Sequence, residues 1–472
     1  MAFTSLRYFI FLPGVVLARR LVPARFRPAL LLAAGYAFCL LLSPACAITL
    51  FGVTLVAYAA GRLMAARPAQ KRLFAALALL AVLGLLGFLK YYDFFASLVG
   101  APALALLLPA GLSFFTFQAA GYVVDVYRGE VPAERDFFVF ALFLAFFPQV
   151  TSGPIGRAGA LLPQLRETRP NGREDLAAGV PLFLWGLFKK LVVADSLAVA
   201  ANAAFAAPSD FSSAQLIFAS LAFTFQIYCD FSGYTDMARG SARCLGVDLM
   251  RNFDAPYFST SVRDFWRRWH ISLSTWFRDY LYIPLGGSRK GKARTCLNLL
   301  VVFAVSGLWH GAAVTFVLWG ALHGLFLVAG VLTRSLREKA WGAVGVRAGH
   351  PLRRFCGWAL TFALVSLAWI FFKAASASDA LYILGAVLRP RFVRPLGLTL
   401  LGLSRGKLLS ALLGVLAVLA ADAVSVRRDV SAALQKRVWL RYAAYFVLVV
   451  TILIFGSYGA GYNPQDFIYF KF

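Results

Sequence analysis

The sequence predicts an all-helical, polytopic membrane protein, and three observations predict it. First, 60% of the 472 residues are hydrophobic and only 14% are charged, against about 45–50% and about 25% in an ordinary soluble domain. Second, the mean hydropathy is +0.73. Third, Lys and Arg outnumber Asp and Glu by 47 to 21, and they cluster in short stretches between apolar runs: Arg19 to Arg27, Arg62 to Arg72, Arg157 to Arg173 and Arg263 to Arg294. This is the positive-inside pattern of cytoplasmic loops, not a folded basic module for nucleic acid. No polar block is long enough to build its own core, so one membrane domain over 1–472 is expected.

The elements follow from the apolar runs, since about 20 such residues cross a hydrocarbon core about 30 Å thick. Candidate crossing or re-entrant segments lie at 5–18, 28–46, 47–63, 74–98, 103–124, 137–151, 178–205 and 213–236. They continue at 295–309, 312–333, 355–373, 407–424 and 440–458, about eleven to thirteen in all. No convincing cleavage site follows Arg19 and Arg20, so the first is read as a retained segment rather than a signal peptide. The run at 137–151 is short and meets Pro148, which favours re-entry. No internal repeat is visible, against the inverted-repeat plan of many secondary transporters. The six cysteines form no Cys-x-x-Cys pair and read as small core residues. They predict neither a disulfide framework nor a zinc site.

The stretch 239–294 is too polar to span, yet it is rich in aromatics interleaved with basic residues. A helix from Ser261 to Tyr280 would place Phe265, Trp269, Leu273 and Phe277 on one face. Ser261 followed by Asp264 resembles a capping box. Such a helix would lie in the interface or line a cytoplasmic funnel. Gly286, Gly287 and Gly291, around Ser288, Arg289 and Lys290, form a basic loop after it.

Four histidines are present, and an ionisable group at membrane depth is a functional candidate. His310 stands in Ser306-Gly307-Leu308-Trp309-His310-Gly311 between two apolar runs, where glycines permit close helix approach or a break. Ser306 lies one turn before it and could orient the ring. The alternative is a buried histidine satisfied by a carbonyl. His270 lies in Trp266-Arg267-Arg268-Trp269-His270-Ile271-Ser272, with Trp266, His270 and Ser274 on one helical stripe; a histidine in an aromatic belt is the competing reading. On a continuous helix, at 100° per residue, His323 would face about 140° away from His310, which favours packing or support. His350 lies in a basic loop and reads as solvated. Asp230 and Asp236 flank Phe231 to Thr235 and could pair with Arg239 or Arg243, or set a histidine's protonation. No third ligand stands at metal-binding spacing from the histidines.

A histidine titrates near pH 6.5 and suits a general base for a hydroxyl attacking a thioester. The carbonyl oxygen that becomes negative needs a donor, from a second His, a Trp N–H or the backbone. A coenzyme A donor carries phosphates and an adenine ring, which basic and aromatic residues of 261–294 would suit.

At these residues the chain resembles the membrane-bound O-acyltransferase (MBOAT) family, in its alginate O-acetylase branch. The matching stretches include Lys90-Tyr91-Tyr92-Asp93-Phe94-Phe95, Pro109 to Gln118, Phe147-Pro148-Gln149 leading to Gly153-Pro154-Ile155, and Tyr228-Cys229-Asp230-Phe231-Ser232-Gly233-Tyr234-Thr235-Asp236. They continue with Asn252 to Tyr257, Phe265 to Ser274, Tyr280 to Gly287 and Ser306 to Gly311. Phe467 to Phe472 also looks like this branch, with Lys471 where relatives often carry Gln.

The resemblance implies a ring of tilted helices around a thin core, with funnels from both sides. It implies His310 as the catalytic histidine and His270 as the second histidine of the reaction tunnel. Ser306, Trp309, Trp266, Trp269, Arg267, Arg268, Ser274, Asp230, Asp236 and His323 are then candidates for substrate contact or support. The implied activity takes an acetyl group from a cytoplasmic donor, acetyl-CoA, across the bacterial inner membrane to a periplasmic acetyltransferase or esterase-like partner that modifies an exopolysaccharide such as alginate. No bound cofactor is expected. D-alanyl transfer to teichoic acid and peptidoglycan O-acetylation are the alternatives on the same fold. A transporter without covalent chemistry is the alternative outside it, disfavoured by the few intramembrane acids and the lack of a repeat.

Overall fold

The computed structural model describes every residue except 167–170, 392–396, 398–400, 426–437, 460–461, 463–466 and 469–472. Most of the expected terminal motif, 469–472, therefore lies outside the described residues. Among the described residues the chain is helical throughout, without strands. Among those residues, ten helices, or helices joined end to end, are long and apolar enough to cross a bilayer. Apolar side chains such as Ile48, Leu80 and Phe446 stand more than two-thirds exposed on them. Water would not tolerate so many exposed apolar side chains, and lipid is their solvent.

The chain divides into two compact units, the first built from 1–187, 234–251 and the described residues after 463. Its helices are α1 (Leu6–Leu21), α2 (Arg27–Leu42), α3 (Pro44–Ala66), α4 (Lys71–Val99), α5 (Leu112–Arg128), α6 (Phe137–Ala145), α7 (Ala158–Arg166) and most of α8 (Arg173–Phe188). Local chemistry sets the boundaries. Ser43 caps α3, its hydroxyl accepting from Cys46 N–H, with Pro44 in the first helical position. The expected segment 103–124 begins later, at Leu112, because Gly111 is left-handed at φ 80° and a Cβ there would stand 2.4 Å from the Val150 carbonyl oxygen. Asp136 caps the short α6 through Phe138 and Val139 N–H. After α6 the chain turns at Phe146 to Gly153, and the Phe143 carbonyl accepts from both Gln118 and Gln149 amides, at 2.8 and 3.0 Å. The 137–151 run is thus a short helix and a turn. Within the turn, Gln149 and Val150 N–H donate to the Phe146 carbonyl and Gly153 N–H to that of Gln149, so these backbone groups are paired as non-helical backbone away from water requires.

The second unit comprises 188–233 and 252–462. It opens on a π turn, Lys189–Ala194, that continues α8 into α9 (Asp195–Ala206). Helix α10 (Ser213–Cys244) follows, contributing its first part, to Gly233, to this unit. Next come α11 (Val262–Arg268), α12 (Ile271–Phe277), α13 (Gly291–His310) and α14 (Val314–Leu332). The unit ends with α15 (Arg334–Ala343), α16 (Pro351–Lys373), α17 (Ala377–Leu388), α18 (Arg405–Ser425) and α19 (Val438–Phe455).

The continuous helix expected over 261–280 is two helices. Ser261 caps the first, accepting from Asp264 N–H at 3.1 Å. The chain then breaks at His270, which is left-handed at φ 45°. Phe265, Trp269, Leu273 and Phe277 are all buried, so the apolar spacing is satisfied across the break.

Candidate functional site

The site is built on the α13–α14 hairpin of the second unit. Gly307 and Gly320 face each other there. A Cβ on Gly307 would stand 2.3 Å from the Phe316 carbonyl oxygen, and one on Gly320 would stand 2.2 Å from that of Phe303. Only glycine permits this backbone approach, the usual way membrane helices gain close packing. Helix α13 ends at His310, and the chain reverses through Gly311, whose own Cβ would meet the Phe316 ring at 2.2 Å.

This reversal decides what His310 touches. It is buried, with Trp319 edge-on at 5.0 Å between ring centroids and 87° between planes, and Phe372 of α16 at 5.3 Å. His323, fully buried, packs against the same Trp319 at 5.0 Å. The expected 140° separation held only for a continuous helix. Because the chain folds back, both histidines meet one indole. Ser306 is buried one turn before His310. His323 Nδ1 accepts from Trp266 Nε1–H at 3.2 Å, which fixes the neutral ring with its proton on Nε2. The expected support by Trp266 therefore runs through His323.

His270 reaches the same region from the break between α11 and α12. Its ring is fully buried, 4.7 Å from Phe231 and 6.0 Å from Trp309. Trp309 also lies 5.0 Å from His310, so one indole neighbours both rings. A left-handed non-glycine residue costs about 1–2 kcal/mol, and Asn252 offsets it. The Asn252 carbonyl accepts from Ile271 N–H at 2.9 Å and its Oδ1 accepts from Ser272 N–H at 3.1 Å. The expected stripe of Trp266, His270 and Ser274 is broken by this turn. Ser274 instead donates twice, its hydroxyl to the Trp269 carbonyl and its backbone N–H to the His270 carbonyl. Burial pushes the His270 imidazole down to about 3, so it is neutral at physiological pH. The ordinary value near 6.5 does not apply to it.

The remaining candidates separate by placement. Trp269 lies in an aromatic cluster with Phe253, Phe265 and Trp369, at 5.0, 5.3 and 4.9 Å, and packs this layer. Arg268 is held by Asp264 at 3.1 Å, while Arg267 is exposed. Arg289 and Lys290, on the loop leading into α13, and Lys292 and Arg294, in its first turn, are exposed too. Asp236 belongs to the first unit and pairs with Arg239 at 3.5 Å, as the sequence suggested. Asp230 takes neither expected arginine. It accepts from Lys190 Nζ at 2.7 Å, and Lys190 is shared with Asp195, also at 2.7 Å. Lys189 donates to Ser232 at 3.0 Å, and Tyr462 to Asp195 at 3.2 Å.

Sequence reading missed Lys189, Lys190, Trp319, Phe372 and Asn252. The lysines carried a usable signal, two adjacent cations inside the apolar run 178–205. Among the described residues, no group of three or more His, Cys, Asp or Glu is placed to hold a metal ion.

Residues 71–367 match the model of the membrane-bound O-acyltransferase family. The chain is 38% identical over 394 residues to the probable alginate O-acetylase AlgI of Pseudomonas syringae, covering 80% of this chain and 73% of that one. It is 35% identical over 348 residues to the peptidoglycan O-acetyltransferase of Helicobacter pylori, covering 67% and 64%. To the teichoic acid D-alanyltransferase of Bacillus subtilis it is 25% identical over 230 residues, covering 46% and 57%.

Proposed function

The chain belongs to the membrane-bound O-acyltransferase family and is a multi-pass membrane O-acyltransferase, and from that premise we propose that it takes an acetyl group from cytoplasmic acetyl-CoA and passes it across the bacterial inner membrane for O-acetylation of an exopolysaccharide such as alginate. The observation that carries this reading is the burial of His310 and His270 about a shared Trp309, in the part of the chain that the family model matches.

His310 is the base. It removes the proton of an acceptor hydroxyl, whose oxygen adds to the thioester carbonyl; the C–S bond then breaks and the departing thiolate takes that proton. The aromatic walls of Trp309, Trp319 and Phe372 exclude water, which would otherwise compete as the acceptor. His270, neutral at working pH, lines the same path and orients the acyl group, with Ser306 and Ser274 supporting the two histidines. The exposed Arg267 and the basic residues from Arg289 to Arg294, at the entry to α13, suit the phosphates of coenzyme A. A periplasmic acetyltransferase or esterase-like protein receives the group and sets the final acceptor.

Acetyl is favoured over D-alanyl because the relatives at 35–38% identity, matched over two thirds or more of this chain, are named for acetyl transfer, while the D-alanyltransferases, at 25–30%, match less than half of it. The test uses protein in lipid nanodiscs with radiolabelled acetyl-CoA. Wild type should release coenzyme A, His310→Ala should abolish release while remaining folded, and His270→Ala should reduce it strongly. Unchanged turnover by His310→Ala would refute the assignment of the reaction centre. No release by wild type, even with a membrane extract supplying partners, would refute the donor.

A further inference from the structure

An acyl transfer needs more than a base. As the hydroxyl oxygen adds to the thioester carbon, the C=O π pair moves onto the carbonyl oxygen, and that negative charge needs a fixed donor. Trp266 spends its Nε1–H on His323. Trp319 is fully buried, yet among the described residues its Nε1–H has no hydrogen-bond acceptor. Among the indole N–H groups of this cluster, that of Trp369 also lacks an acceptor among the described residues, and Trp319 is set apart by its edge-on contact with His310. A buried donor without an acceptor costs about 1–3 kcal/mol, and a phenylalanine would fill much of the same space without that cost. Such a group calls for a specific reason.

Trp319 is also held unusually firmly. His310 and His323 pack against it, each at 5.0 Å, Phe372 stands edge-on at 5.2 Å, and Trp369 stacks on it at 5.6 Å and 19°. The next residue is Gly320, whose backbone contact fixes α14 against α13. The indole is therefore a rigid donor in direct contact with the proposed base.

We propose that Trp319 is a catalytic residue whose indole Nε1–H donates a hydrogen bond to the acyl carbonyl oxygen as the tetrahedral intermediate forms beside His310. The proposal rests on the reading of His310 as the base. No proton leaves the indole. The hydroxyl proton goes to His310 and then to the departing thiolate, while the carbonyl π pair returns as the C–S bond breaks. His323 acts through Trp319 as a positioning residue.

The experiment measures coenzyme A release in nanodiscs with acetyl-CoA for four proteins: wild type, His310→Ala, Trp319→Phe, and a protein with Trp319 replaced by 3-benzothienylalanine. The last keeps the bicyclic shape and replaces N–H by sulfur, so it is expected to fold even where Trp319→Phe does not. Losing one such donor lowers kcat about 10²–10³-fold. Both Trp319 replacements should show this loss with KM for acetyl-CoA within about twofold, as expected for an interaction made only in the transition state. Wild-type kcat in the benzothienyl protein would overturn the proposal and leave Trp319 a packing residue. If His310→Ala kept full turnover, the reaction centre itself would be misplaced and the proposal would fall with it. Failure of wild type to consume acetyl-CoA would overturn both the donor and the role of Trp319.

Discussion

Replacing Gly320 by alanine tests whether the glycine contact sets the geometry of the site. The added methyl would stand 2.2 Å from the Phe303 carbonyl oxygen and 3.2 Å from the Gly307 Cα. Ordinary contact begins near 3.4 Å, so α13 and α14 must part locally by about 1 Å. Overpacking of this kind costs about 1–3 kcal/mol, and a misplacement of about 1 Å at a reacting group costs about 10²-fold in rate. His310 and Trp319 lie on opposite sides of this contact, so turnover should fall more than stability does. Gly330→Ala is the control on the same helix, because nothing lies within 4 Å of its Cβ. It should leave turnover unchanged and stabilise by about 0.5–1 kcal/mol through helix propensity. The assay is coenzyme A release alongside thermal unfolding in detergent. Wild-type turnover and melting temperature in Gly320→Ala would refute the claim that backbone contact sets the spacing of His310 and Trp319.

Two further outcomes follow from buried charge and its absence. His270 ionises near 3 when folded and near 6.5 when unfolded. The unfolded chain therefore takes up the proton first, so this stability is full above about pH 6.5 and is lost as pH falls towards 3. By pH 5 the loss is about 2 kcal/mol. His270→Asn, which tolerates the left-handed backbone, should lack it; identical pH profiles of denaturation for the two proteins would refute the assignment. Lys190→Met should destabilise by about 3–5 kcal/mol, because it leaves Asp195 and Asp230 buried without their shared cation. Adding Asp230→Asn should recover part of that loss in urea unfolding, and no recovery would count against the pairing.

The helices were legible because apolar runs of membrane length can do little else, and the starts and ends of α2, α3, α13 and α14 lie within a few residues of the hydropathy runs. The hinge at Gly311 was legible as an interruption between two runs. Its consequence was not, since a periodicity argument cannot say that His310 and His323 will meet across a hairpin. The break at His270 was hidden for a related reason. The four-residue spacing from Phe265 to Phe277 fits one helix as well as two, and the atoms that stabilise the break belong to Asn252, outside the window of any helical pattern. Lys190 and Asp230 show the same limit: each was visible, but their pairing depends on how α10 packs against the π turn. Residue types thus announced the chemistry, and partners far along the chain decided its geometry.

The π turn carries one more implication, for the order in which the protein is made. Within it, the Leu191 carbonyl accepts from Ser457 N–H at 2.9 Å, and Asp195, just beyond, accepts from the Tyr462 hydroxyl. Both donors are synthesised more than 250 residues after their acceptors. At about 5–20 residues per second, roughly a quarter of a minute or more of translation separates them. During that interval the Leu191 carbonyl, within the π turn, and the Asp195 carboxylate, just after it, lack these two donors. These two bonds therefore close late, once the residues that follow the last helix have been made and return to a turn near the unit's beginning.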